Sequence, residues 1–93
     1  MVTMLFSCRV ADFDTWKPLY EEAVTSTPEV ESWQLWRSQD DPNLVFLRET
    51  FESREVAERL VASEEIQNEM ASHGVDASSV QVWFVDEIGA GGR

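Results

Sequence analysis

The sequence predicts an α+β fold, an antiparallel sheet with helices packed on one of its faces. Three observations carry that expectation. Apolar residues switch between strand and helix periodicity in the order βαββαβ. The turn sequence Asp40-Asp41-Pro42-Asn43 separates two strand-like segments. The chain has 93 residues, enough for one core and one domain.

Each element has a local reason. Val2–Val10 (VTMLFSCRV) is rich in strand formers. Asp14 is a suitable N-cap for the segment that follows, and Pro18 fits best near a helix start. Trp16, Leu19, Tyr20, Ala23 and Val24 make one apolar helical stripe, which Thr25 to Pro28 ends. Val30–Ser38 and Leu44–Phe51 flank the proline turn and read as an antiparallel hairpin. Ser53 caps a second helical segment with Val56, Ala57, Leu60 and Val61 on one face. Ser63-Glu64-Glu65 restarts the pattern and places Ile66 and Met70 inward, so Ser53 to His73 is one kinked helix or two short ones. His73-Gly74 has the form of a left-handed helix end. Val80–Ile88 is the last strand, giving a domain over 1–88 and a tail over 89–93. This element order is that of a ferredoxin-like unit.

Composition excludes several functions. Eighteen acidic and seven basic residues give a net charge of −11, a field that repels nucleic-acid backbones and anionic lipid surfaces. No apolar run approaches the length that spans a bilayer, and the N-terminus lacks the pattern of a secretory signal. A cytoplasmic location is expected. One cysteine, Cys8, and one histidine, His73, exclude an internal disulfide and an ordinary structural zinc site.

The strands are apolar on both faces. Val80, Val82 and Phe84 oppose Trp83 and Val85, Phe46 opposes Val45 and Leu47, and Trp33 opposes Trp36. Two helices cover one face of such a sheet, so a second copy of the chain is expected on the other, forming a homodimer.

Asp12-Phe13-Asp14-Thr15-Trp16-Lys17, the turn Asp40–Asn43, Glu49-Thr50-Phe51-Glu52-Ser53, and Ala62-Ser63-Glu64 with Met70 and Gly74-Val75 resemble the dimeric α+β barrel superfamily. The similarity is greatest to antibiotic biosynthesis monooxygenase-like proteins and covers Val2 to Ile88. These motifs are structural and specify fold better than function. The resemblance implies a ligand site between sheet and helices. It also implies, for some members, oxidation of polycyclic phenols without a cofactor. Haem-degrading relatives use a first-strand asparagine, a tryptophan and a helix histidine. Here the first strand offers Ser7 and Cys8, and only His73 matches.

A four-residue turn at Asp40–Asn43 would pair Ser38 with Val45, Trp36 with Leu47, Gln34 with Glu49 and Ser32 with Phe51, all on the helix-covered face. Glu49 is then a candidate acid or base, with a pKa raised among apolar neighbours. A structural pairing with Arg9 or another arginine is the alternative. His73 is the only side chain of a type suited to proton transfer near neutral pH and is a second catalytic candidate, although a helix C-terminus also suits a charged histidine structurally. Trp16, Tyr20, Gln34, Trp36, Phe51 and Met70 are candidate ligand-binding residues, with core packing as their alternative role. Arg37 and Arg48, on the opposite face, could clamp an anion or pair across a dimer seam. Ser7 and Cys8 have no histidine within predictable reach to activate them. The leading function is an apolar pocket for a small aromatic ligand, serving cofactor-independent oxidation or cyclisation of a phenolic or polyketide-like compound. A non-catalytic ligand-binding or interaction dimer is the alternative, and a haem enzyme working through His73 the third.

Overall fold

The computed structural model describes Met1–Arg93. Strands β1 (Val2–Arg9), β2 (Ser32–Arg37), β3 (Leu44–Phe51) and β4 (Gln81–Val85) form one sheet in the order β2-β3-β1-β4, every neighbouring pair antiparallel. Helix α1 (Phe13–Thr25) links β1 to β2, while α2 (Arg54–Ala62) and α3 (Glu64–Ser72) link β3 to β4 through a 3₁₀ turn at Ala77–Ser79. The ferredoxin-like order expected from the sequence is present, with the second helix divided.

The division lies at Ser63. Its backbone is extended (φ −66°, ψ 140°), so it ends α2 and caps α3, accepting the Ile66 N–H at 3.2 Å. Gln67 Nε2 donates to the Val61 carbonyl at 2.7 Å and ties the two helices together. Gly74 (φ +84°) ends α3 in the left-handed conformation, with Val75 N–H donating to Met70 O and Gly74 N–H to Ala71 O.

Several boundaries differ from the expectation. Asp12, not Asp14, caps α1 and accepts the Thr15 N–H at 3.0 Å. The helix starts earlier because Phe13 N–H is satisfied by Asn43 Oδ1 from the hairpin turn, at 3.1 Å. Asp14 stands in the first turn, where its charge suits the helix dipole. Strand β2 covers Ser32–Arg37, and β4 ends at Val85; residues 86–93 carry no regular structure and are exposed.

The hairpin register is one residue away from the expectation. Trp33 pairs with Glu49, Gln34 with Arg48, Leu35 with Leu47 and Trp36 with Phe46. Ser38 N–H donates to Leu44 O at 3.0 Å, which leaves five residues in the turn, Gln39 to Asn43. Ser38 Oγ accepts the N–H groups of Asp40 and Asp41, and Asp41 Oδ1 accepts that of Asn43. This side-chain network takes Gln39 into the turn, and Arg9 pairs with Asp41 from the neighbouring strand. A one-residue slip exchanges the faces of a strand. Trp33, Leu35 and Arg37 therefore lie on the helix side with Val45, Leu47, Glu49 and Phe51. Gln34 and Trp36 lie on the outer face with Phe46 and Arg48. Arg37 packs over the Phe13 ring, 4.5 Å from its centroid, so Arg37 and Arg48 occupy opposite faces and cannot form one anion clamp.

The core sits between sheet and helices. Met4, Phe6, Cys8, Val45, Leu47 and Phe51 from β1 and β3 meet Trp16 and Ala57 from the helices, all buried. The outer face carries Leu5, Trp36, Phe46 and Trp83, each between 36% and 47% exposed.

Candidate functional site

A cavity of about 110 Å³ opens inside that core, and fourteen of its eighteen lining residues are hydrophobic. Period-two alternation turns Met4, Phe6 and Cys8 of β1 and Leu47 and Glu49 of β3 into it. Helical spacing brings Trp16, Tyr20, Ala23 and Val24 over it from α1. Leu60 and Val61 of α2 and Ile66, Glu69 and Met70 of α3 close the other side, with His73 beyond them.

Glu49 is the polar centre of this apolar space and is 8% exposed. Its Oε2 accepts the Tyr20 hydroxyl at 2.6 Å, while no protein donor reaches Oε1. The arginine partner held open by the sequence is absent: Arg9 pairs with Asp41, and the three ion pairs of the protein leave Glu49 out. Burial pushes the Glu49 pKa above the usual carboxylate value, and the Tyr20 hydrogen bond opposes this only in part. Burial also raises the Tyr20 pKa, as do the nearby Glu49 charge and the shared hydrogen bond, so the phenol keeps its proton and donates it. Cys8 is pushed up to about 11 by burial and is a thiol, not a thiolate nucleophile.

Aromatic packing fixes Tyr20. Trp16 stacks on it with ring centroids 5.1 Å apart, and Trp33 meets it edge-on at 5.9 Å. The donor to Glu49 is thereby held in one orientation.

Five of the sequence-derived candidates share the cavity: Glu49, His73, Trp16, Tyr20 and Met70. Three do not. Gln34 and Trp36 lie on the outer face because of the register, and Phe51 is fully buried in the core without lining the cavity. Trp33 takes the place assigned to Trp36. Leu60 and Ile66 were legible as inward positions of the second helical segment, but nothing in the sequence showed that they enclose a space, and Glu69 carried no signal at all.

Haem does not fit. His73 lines the cavity, yet about 110 Å³ is well below the several hundred Å³ of sites for drug-sized ligands, and the macrocycle is larger still. No group of three or more His, Cys, Asp or Glu residues is placed to hold a metal ion. No helix is long and apolar enough to cross a membrane.

The fold is an α+β architecture of the antibiotic biosynthesis monooxygenase type. The particular structures it resembles agree closely in length. One is an antibiotic biosynthesis monooxygenase, 20% identical, with a TM-score of 0.73 over 96% of this chain and 100% of that one. Another is SnoaB, a cofactor-independent oxygenase from Streptomyces nogalater, 10% identical, TM-score 0.74, over 96% and 94% of the two chains. A third, a candidate antibiotic biosynthesis monooxygenase from Chloroflexus aurantiacus, is 16% identical with a TM-score of 0.70 over 98% and 96%. By sequence the chain matches no protein-family model and no curated protein. At these identities the likeness is one of fold.

Proposed function

We propose that the cavity binds a small, electron-rich phenol and supports its oxidation by molecular oxygen without a bound cofactor. The observation that carries this reading is Glu49 itself, a cavity-lining carboxylate only 8% exposed whose Oε1 takes no hydrogen bond from the protein. A phenol entering the cavity would offer the one thing this atom lacks, a donor. Glu49 as carboxylate takes the phenolic proton, and Tyr20 steadies its other oxygen. The electron-rich phenolate ring then reduces dioxygen, forming a carbon–oxygen bond. Loss of water leaves a quinone, with one oxygen atom in the product and the other in water. The substrate supplies all the electrons, so no external reductant is needed. The name of SnoaB, a cofactor-independent oxygenase, supports this reaction class by fold alone.

Oxygen uptake with single-ring dihydric and methoxylated phenols, followed by mass spectrometry under ¹⁸O₂, tests the reading. One labelled atom should appear per quinone, and Glu49→Gln should lower kcat/KM by about 10²–10⁴-fold, the usual scale of general-base catalysis. Saturable binding without oxygen uptake would leave a ligand-binding protein with no chemistry of its own.

The assembly proposed with this site is a homodimer joined through the outer sheet faces. Leu5, Trp36, Phe46 and Trp83 present one apolar patch spanning all four strands. The site of each protomer lies on the opposite face of its sheet and is complete within one chain.

A further inference from the structure

A second depression adjoins the cavity. It is a groove of about 740 Å³ between the C-terminal end of α1 and the α2–α3 junction, and most of its lining residues are of polar type. Cavity and groove share Ala23, Thr27, Leu60, Ile66 and Glu69, so these side chains stand at the partition where the two spaces meet. Leu60 and Ile66 are its two large apolar members. They belong to different helices, on either side of the break at Ser63, and both are only partly buried. The inner space, at about 110 Å³, is on the scale of the roughly 150 Å³ apolar cavity that accepts one benzene ring. The groove outside is several times larger, so ring size is limited by the inner space and by the side chains that bound it.

From this we propose that ligands enter through the groove and that Leu60 and Ile66 are the specificity-determining residues, restricting the site to single-ring compounds. The proposal rests on the cavity being the ligand site, as argued above, but not on the chemistry of Glu49. Trimming both side chains merges cavity and groove into a space that admits fused rings. The partition can be opened at modest cost to the fold, because neither residue is among the buried core and α3 contains no fully buried residue.

Isothermal titration with benzene, phenol, naphthalene and 1-naphthol separates the two ideas. The wild-type chain should bind the one-ring member of each pair at least tenfold more tightly than its two-ring partner. The Leu60→Ala/Ile66→Ala variant should bind naphthalene and 1-naphthol at least tenfold more tightly than the wild type does. Ile66→Trp, whose larger side chain takes up part of the cavity that Ile66 lines, should weaken binding of all four and serves as the readout if the double variant does not fold. Equal wild-type affinity for one and two rings, or no gain on trimming, overturns the size filter. The hydroxyl reports separately on Glu49: equal binding of phenol and benzene would count against the proposed function while leaving the filter standing. Failure of all four probes to bind any variant overturns both.

Discussion

Glu49 is held by one hydrogen bond in a place where a carboxylate ordinarily has water or a cation. Its folded pKa is raised, so the folded chain binds its proton more tightly than the unfolded chain does. The resulting contribution to stability is fully present below the ordinary carboxylate value, 4.5, and is lost as pH rises through the higher folded value. Glutamine has no proton to lose. Glu49→Gln should therefore melt at an increasingly higher temperature relative to wild type as pH rises above that ordinary value, levelling off once wild-type Glu49 is ionised in the folded state. Thermal melts at intervals from pH 4 to pH 8 measure this difference directly. A difference that moves the other way would reveal a cation near the carboxylate. Tyr20→Phe removes the one donor to Oε2 and should destabilise the protein by about 1–3 kcal/mol at neutral pH, the cost of stranding a buried acceptor.

Elements show why parts of this architecture are legible in sequence and parts are not. Caps and stops are local. Ser53, Ser63 and Gly74 act through their own backbone neighbours, and each does in the structure what its residue type suggests. Register is not local. Whether the hairpin turn holds four or five residues depends on Ser38 and Asp41 hydrogen bonds, on Arg9 across the sheet and on Asn43 reaching the start of α1. Those contacts moved Trp36 and Gln34 out of the candidate site and brought Trp33 in. The Tyr20–Glu49 pair, 29 positions apart, stayed unread for the same reason. The local signals can be tested cheaply. A Cβ at Gly74 would adopt an unfavourable left-handed conformation and approach Ala11 Cβ to 3.3 Å. Gly74→Ala should cost about 1–2 kcal/mol in chemical denaturation. A neutral result would mean that α3 can end without the left-handed turn.

At the scale of the whole molecule, the distribution of charge says more than its sum. The chain carries eighteen acidic residues, yet the outward-facing strand positions contain none. From the pairing registers these positions are Thr3, Leu5, Ser7 and Arg9 on β1, Ser32, Gln34 and Trp36 on β2, Leu44, Phe46, Arg48 and Thr50 on β3, and Gln81, Trp83 and Val85 on β4. An acid-free sheet face that carries an apolar patch, on a protein of charge −11, lets a second copy approach without placing carboxylates against each other or burying them unpaired. A stable pair needs about 1,200 Å² buried in total, or about 600 Å² per copy, which a four-stranded face with two exposed tryptophans can supply. Sedimentation equilibrium at micromolar concentration should accordingly give a mass twice the 10.6 kDa of one chain. The remaining acidic residues still repel at long range, so added salt should tighten the association by screening them. Phe46→Glu or Trp83→Glu puts a carboxylate into the patch and should yield monomers whose melting curve remains cooperative. A concentration-independent mass of one chain for the unaltered protein would end the dimer proposal and leave the exposed tryptophans without a partner.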